Sequence, residues 1–245
     1  MQITPDMKLA DVIHMNYLLL QIISRFNIRL GCGEKTVHQV CNENDIDINF
    51  FLEIVNSFHD KNYFPKKQLQ GFPLKLIVDY LRNSHDHCLK VKIPYIEELI
   101  HQLLLYSFSD NSELSGLINK FFNDYKTELE DHINREELKV YPYVFAVEKV
   151  FRSKKSSTDT MDLIQKYSME DFENEHDNVE DKLFDMKNLI IKYIPPPDDT
   201  NLCNTILIEL FRLEADLNDH ARIEDKVLVP KVKYMEKWIY EHVIQ

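Results

Sequence analysis

The chain has 245 residues, enough for a sizeable buried core, and only 4 glycines and 9 prolines against 44% hydrophobic and 29% charged residues argue against a turn-rich β fold. A net charge of −12 and a pI near 5.3 argue against nucleic acid or an anionic membrane as the main partner, because both require basic patches. No apolar run approaches the length of a membrane span and the first residues, MQITPDMKLADVIH, lack the pattern of a secretory leader, so a cytoplasmic protein is expected. The four cysteines, Cys32, Cys41, Cys88 and Cys203, form no Cys-x-x-Cys pair and read as reduced thiols.

Residues 7–60 alternate short apolar clusters with turn signals. Leu9, Val12, Ile13, Tyr17, Leu20, Ile23 and Phe26 suit two short helices or one broken one, NIRLGCGEKT (27–36) a tight turn, and FFLEIVNSF a further helix. The stretch KNYFPKKQLQGFP (61–73), with two prolines and clustered lysines, reads as a linker. From Leu74 the pattern changes to long amphipathic helices. The first starts at Leu74 and has Pro94 as a potential kink. The second runs from Leu114 to about Val150, perturbed near Pro142; RSKKSSTDT (152–160) is a polar connection, and two more helices cover about 168–193 and 201–241. Four long helices with short polar loops predict an all-α fold, an antiparallel four-helix bundle preceded by a small helical domain. The expected domains are residues 1–66 and 67–245.

Two stretches of the bundle repeat one another. Residues 131–142 read DHINREELKVYP and residues 219–230 read DHARIEDKVLVP: Asp-His-x-x-x-Glu, an acidic residue, and a proline ten positions after the histidine. An i,i+4 pair lies on one helix face, so His132 with Glu136 and His220 with Glu224 each aim an imidazole and a carboxylate the same way. Burying so many ionisable groups together is costly unless metal cations compensate them. The other two helices carry mid-helix histidines as well. His176 shares its face with Phe172, Val179 and Leu183 and should point inward. On the first helix Ile77, Leu81, His85 and Cys88 form one stripe, and Tyr80, Ser84, His87 and Val91 another; His85 is taken as the ligand, with His87 as the alternative.

A rival metal scheme uses the Glu-x-x-His elements Glu98-x-x-His101 and Glu173-x-x-His176, the arrangement of ferritin-like di-iron bundles. It leaves His132 and His220 without a role and makes the repeat an accident. His14, His38, His59, His101 and His242 are read as surface or locally satisfied side chains, and Asp86, Asp131, Asp177 and Asp219, each about 100° around the helix from a neighbouring ligand, as mostly solvent-facing.

Helices bearing His, His-x3-Glu, His and His-x3-Glu in that order, with proline ten positions after each paired histidine, resemble the hemerythrin-like (HHE) cation-binding domain. Residues 25–41, RFNIRLGCGEKTVHQVC, resemble the short ScdA-type N-terminal domain, except that the family's turn commonly holds adjacent cysteines and this one has Gly31-Cys32. Together these resemble the RIC (repair of iron centres) proteins. The resemblance implies His85, His132, His176 and His220 as terminal nitrogen ligands, Glu136 and Glu224 as bridges, and a cofactor of two non-haem Fe ions with a bridging oxide. It also implies a role in repairing iron-sulfur clusters damaged by nitric oxide or oxidative stress, by donating iron. The partners would be damaged iron-sulfur proteins, with NO or O₂ as small ligands. A hemerythrin-like O₂/NO-binding or sensing protein without repair activity is the alternative, a metal-free interaction bundle is a third reading, and both monomer and homodimer stay open. Four His and two bridging Glu fill about eight of about twelve positions on two six-coordinate irons, and an oxide two more, leaving about two for exchange.

Overall fold

In the computed structural model, residues 1–107, 112–155, 158–175, 179–193 and 200–243 are described. They are helical almost throughout, with one isolated antiparallel bridge between Lys8 and Thr36. By their internal contacts they form two compact units, residues 1–84 with 223–231, and residues 85–222 with 232–245.

The first unit opens with α1 (Leu9–Met15) and α2 (Leu19–Arg25), two short helices as the broken apolar pattern predicts. The chain then turns through Asn27 (φ 58°), Gly31 (φ 93°) and Gly33 (φ 60°); the left-handed values explain the glycines on either side of Cys32. Thr36 starts α3 (Val37–Glu43) with a reciprocal cap, its hydroxyl accepting from the Gln39 N–H and the Gln39 side chain accepting from the Thr36 N–H. The Asp47 carboxylate accepts from the Phe50 N–H at 2.9 Å and starts α4 (Ile48–His59). Phe50, Phe51, Ile54 and Val55 on α4 pack in the core with Leu9, Val12, Ile22 and Val37.

The stretch read as a linker is part of this core. Residues 66–71 form α5 (Lys66–Gly71), and its Leu69 is 1% exposed. The prolines that suggested a linker flank the helix: Pro65 is its N-cap, and Pro73 follows its C-cap, Phe72. Lys231 donates to the Gln70 carbonyl at 2.7 Å and to that of Phe72 at 2.5 Å, satisfying oxygens at the end of α5.

The long helices run as α6 (Leu74–His87) into α7 (Ile93–Ser107), α8 (Ser112–Arg135) into α9 (Tyr141–Ser153), then α10 (Thr158–Lys166), α11 (Met169–Glu175) and α12 (Val179–Tyr193), and finally α13 (Thr200–Ile223) into α14 (Val229–His242). Within the second unit, four of these supply one apolar stripe each: Ile96, Leu99, Ile100 and Leu103; Ile118, Phe122, Tyr125 and Leu129; Leu183, Met186 and Ile190; Ile206, Leu210 and Leu213. The three- and four-residue spacing is that of a helical bundle. Helix α10 was not expected, because its Thr-Asp-Thr start resembles a polar connection, yet Ile164 is fully buried.

Three π turns, Cys88–Lys92, Glu136–Val140 and Glu224–Leu228, join the paired helices without a break. A proline follows the end of each by two residues, Pro94, Pro142 and Pro230. The residue just before the proline donates its N–H five residues back: Ile93 to Cys88, Tyr141 to Glu136 and Val229 to Glu224. A proline ring clashes with the carbonyl four residues earlier, and widening that turn accommodates it without breaking the rod. The perturbation expected at Pro94 and Pro142 therefore takes the form of a π turn.

Candidate metal centre

The stripe of α8 that buries Tyr125 and Leu129 continues, at helical spacing, to His132 and Glu136. On α13 the stripe through Leu210 and Leu213 continues past Leu217 to His220. The bundle core thus changes from hydrocarbon to nitrogen and oxygen donors without leaving the buried face. His85, His132, Glu136 and His220 are each at most 8% exposed.

Glu136 is the focus. Its Oε1 is 3.0 Å from Nε2 of His132, and its Oε2 is 2.9 Å from Nε2 of His85 and 3.9 Å from Nε2 of His220. The two carboxylate oxygens therefore face different nitrogens. His85 and His220 also meet each other, Nε2 to Nε2, at 3.1 Å. Ligand atoms of His85, Glu136 and His220 all lie within 4.8 Å of one another. Glu224, four residues after His220 in the sequence, is completely buried.

Burial alone would raise the Glu136 carboxyl, but the rings of His132, His220 and His85 outweigh it and hold its pKa well below the ordinary carboxylate range. The carboxylate is thus ionised although it is buried. Ring nitrogens of His132 and His85 stand 3.0 and 2.9 Å from the two Glu136 oxygens, close enough to hydrogen-bond them or to share a cation with them. A buried carboxylate crowded by imidazoles is further stabilised when a cation joins them. The spacing suits such a cation: donor atoms about 3 Å apart form the edge of an octahedron with bonds of about 2.1 Å. Imidazole and carboxylate together, with no thiolate, are the donor set of iron, zinc or manganese sites.

His85, rather than His87, faces this group; His87 is only half-buried. His176 lies outside the described residues. The ferritin-like alternative fails at its first element, because Glu98 and His101 are both exposed and Glu98 bonds to Gln102. Asp86 and Asp131 are exposed and Asp219 is half-buried. The other histidines are exposed or locally satisfied: His38 contacts Asn42, His59 contacts Asn16, and His242 stacks on Trp238.

Sequence reasoning gave no role to Glu137. Its Oε1 is 2.9 Å from Nδ1 of His85, the ring nitrogen opposite the one facing Glu136. The available signal was the repeat itself, which has an acidic residue after each paired glutamate, Glu137 and Asp225. Tyr141, at the end of the same π turn, lies nearly parallel to the His85 ring, with centroids 5.7 Å apart and planes at 11°.

A helical bundle with a buried layer of histidine and glutamate donors defines a class of metal-binding proteins in which facing helices build the site from inward side chains. The family model of the Hemerythrin HHE cation binding domain matches residues 77–232, and the chain belongs to this family. No curated protein matches the chain significantly. No helix among the described residues is long and apolar enough to cross a membrane.

Proposed function

We propose that the chain carries a non-haem di-iron centre held by His85, His132, Glu136, His176, His220 and Glu224. We further propose that it acts in the cytoplasm to repair iron-sulfur clusters damaged by nitric oxide or oxidative stress, donating iron to the damaged protein. The observation that carries the metal reading is the buried, ionised Glu136 whose two oxygens face separate nitrogens, Oε1 toward His132 and Oε2 toward His85 and His220. That is the disposition expected of a carboxylate bridging two cations. The RIC-like reading rests on the order of the four histidine helices together with the ScdA-like stretch 25–41 in the first 66 residues.

Each group has a task in this scheme. Neutral imidazoles bind without adding charge, and Glu136 and Glu224 each neutralise part of the cation charge. The apolar stripes above the donor layer keep bulk water from the ligands. Iron bound by nitrogen and carboxylate would supply Fe(II)/Fe(III) cycling and exchangeable positions for NO or O₂. A site without thiolate or porphyrin also releases iron more readily, which suits a donor.

The test is incubation of the anaerobically iron-loaded protein with a cluster enzyme inactivated by NO. Recovery of that enzyme, matched by iron lost from the protein, is expected. Tight NO binding with no recovery would overturn the repair role and leave a gas-binding protein.

A further inference from the structure

The geometry points to Glu137 as the positioning residue of the metal centre: it fixes the His85 ring so that Nε2, and not Nδ1, is the nitrogen offered to metal. This rests on the metal reading above and extends it to a residue outside the ligand set.

His85 is gripped at both ends by consecutive residues. Nε2 stands 2.9 Å from Oε2 of Glu136, and Nδ1 stands 2.9 Å from Oε1 of Glu137. Where a metal takes the lone pair of Nε2, the one proton of the neutral imidazole sits on Nδ1 and is donated to Glu137. Glu137 is not itself within the donor group. Its side chain is 28% exposed against 1% for Glu136, so it keeps contact with water while holding the ring. This partial exposure keeps Glu137 at the edge of the buried donor layer rather than within it.

The π turn explains how two neighbours reach one ring. Glu136–Val140 is wound with an N–H to carbonyl bond spanning five residues instead of four, so successive side chains fan out differently than on a regular helix. It delivers Glu136 to one edge of the His85 ring, Glu137 to the opposite edge, and Tyr141 to a face. The ring is therefore held in angle, in plane and in tautomer by one short segment. Pro142, which follows this turn, and the acidic residue after the glutamate are both features of the sequence repeat, and the positioning role gives that acidic residue a reason. Carboxylates hydrogen-bonded to the outer nitrogen of a metal-binding histidine orient the ring and raise its basicity.

The test uses the full chain with Glu137→Leu and Glu137→Gln, checking helical content first. In protein loaded with diamagnetic Zn(II), ¹⁵N NMR should show His85 bound through Nε2 with its proton on Nδ1 in the wild type, and loss of that single Nδ1–H form in Glu137→Leu. In iron-loaded protein, Glu137→Leu should surrender iron to a chelator roughly 10–100-fold more readily. Glu137→Gln should restore part of this, because its amide oxygen still accepts from Nδ1–H. An unchanged tautomer together with wild-type iron retention in Glu137→Leu would overturn the positioning role. Equal loss in both variants would assign the effect to charge rather than orientation and would overturn it too. A wild-type chain that takes up neither iron nor zinc, yet whose His85 ring becomes mobile in Glu137→Leu, would overturn the metal reading while leaving the hold on His85 standing.

Discussion

Nε2 of His85 and Nε2 of His220 stand 3.1 Å apart with their ring planes inclined by 38°, and both rings turn toward the same oxygen of Glu136. Two imidazoles meeting nitrogen to nitrogen beside a carboxylate can share at most one proton between them. A metal cation lets all three donate lone pairs at once.

Glu136→Ala removes the carboxylate on which the nitrogens converge. Iron affinity should fall by more than the roughly 10–100-fold typical of losing an outer partner, with the coupled di-iron spectrum abolished. Glu224→Ala should act in the same direction. Helical content by circular dichroism should be unchanged in both, because the stripes through Phe122, Leu129, Leu210 and Leu213 remain. A normal dinuclear spectrum in both variants would show that these glutamates are not bridges.

Two buried carboxyls away from the centre should respond to pH in opposite directions. Burial raises the Glu236 carboxyl above its ordinary value of 4.5, against the lowering effect of the Tyr143 hydroxyl and the Met169 N–H that bond it. The unfolded chain loses this proton first, so the stability Glu236 contributes is full below about pH 4.5 and is lost as pH rises through the folded value. Burial also acts on Glu209, but Lys92 at 3.1 Å and Arg212 at 2.6 Å outweigh it and lower that carboxyl. Its contribution is full above about pH 4.5 and is lost as pH falls through the folded value. Urea midpoints measured across acid to neutral pH should therefore lose their neutral-side decline in Glu236→Gln and part of their acid-side decline in Glu209→Gln.

Leu69→Ala should cost about 2–5 kcal/mol in urea unfolding, the range for a buried leucine. A residue in a solvated linker would cost within about 0.5 kcal/mol. The smaller value would mean that α5 is not part of the core that buries Leu69.

The grouping of His132 with Glu136 in the candidate site was legible because the helix turns about 100° per residue, which puts an i,i+4 pair on one face. The apolar stripes gave the four long helices, and His85 was separable from His87 by the stripe it shares with Cys88. What pattern reading missed lies where local chemistry and packing disagree. Lys66, Lys67 and the flanking prolines look like a linker, yet a single leucine, Leu69, buries the helix between them. The π turns were hidden because a proline inside a helix ordinarily signals a kink, and it is the bonds from Ile93 to Cys88, Tyr141 to Glu136 and Val229 to Glu224 that show the widened turns. Glu137 was missed for the same reason: on a regular helix its neighbour's orientation would predict a side chain turned away from the site.

Metal content of the full chain after anaerobic iron loading, with a spectrum able to separate a coupled pair from isolated ions, tests the central claim most directly. About two irons per chain with a coupled signal are expected from a centre built around Glu136. Less than about one iron per chain, or only isolated ions, would contradict it.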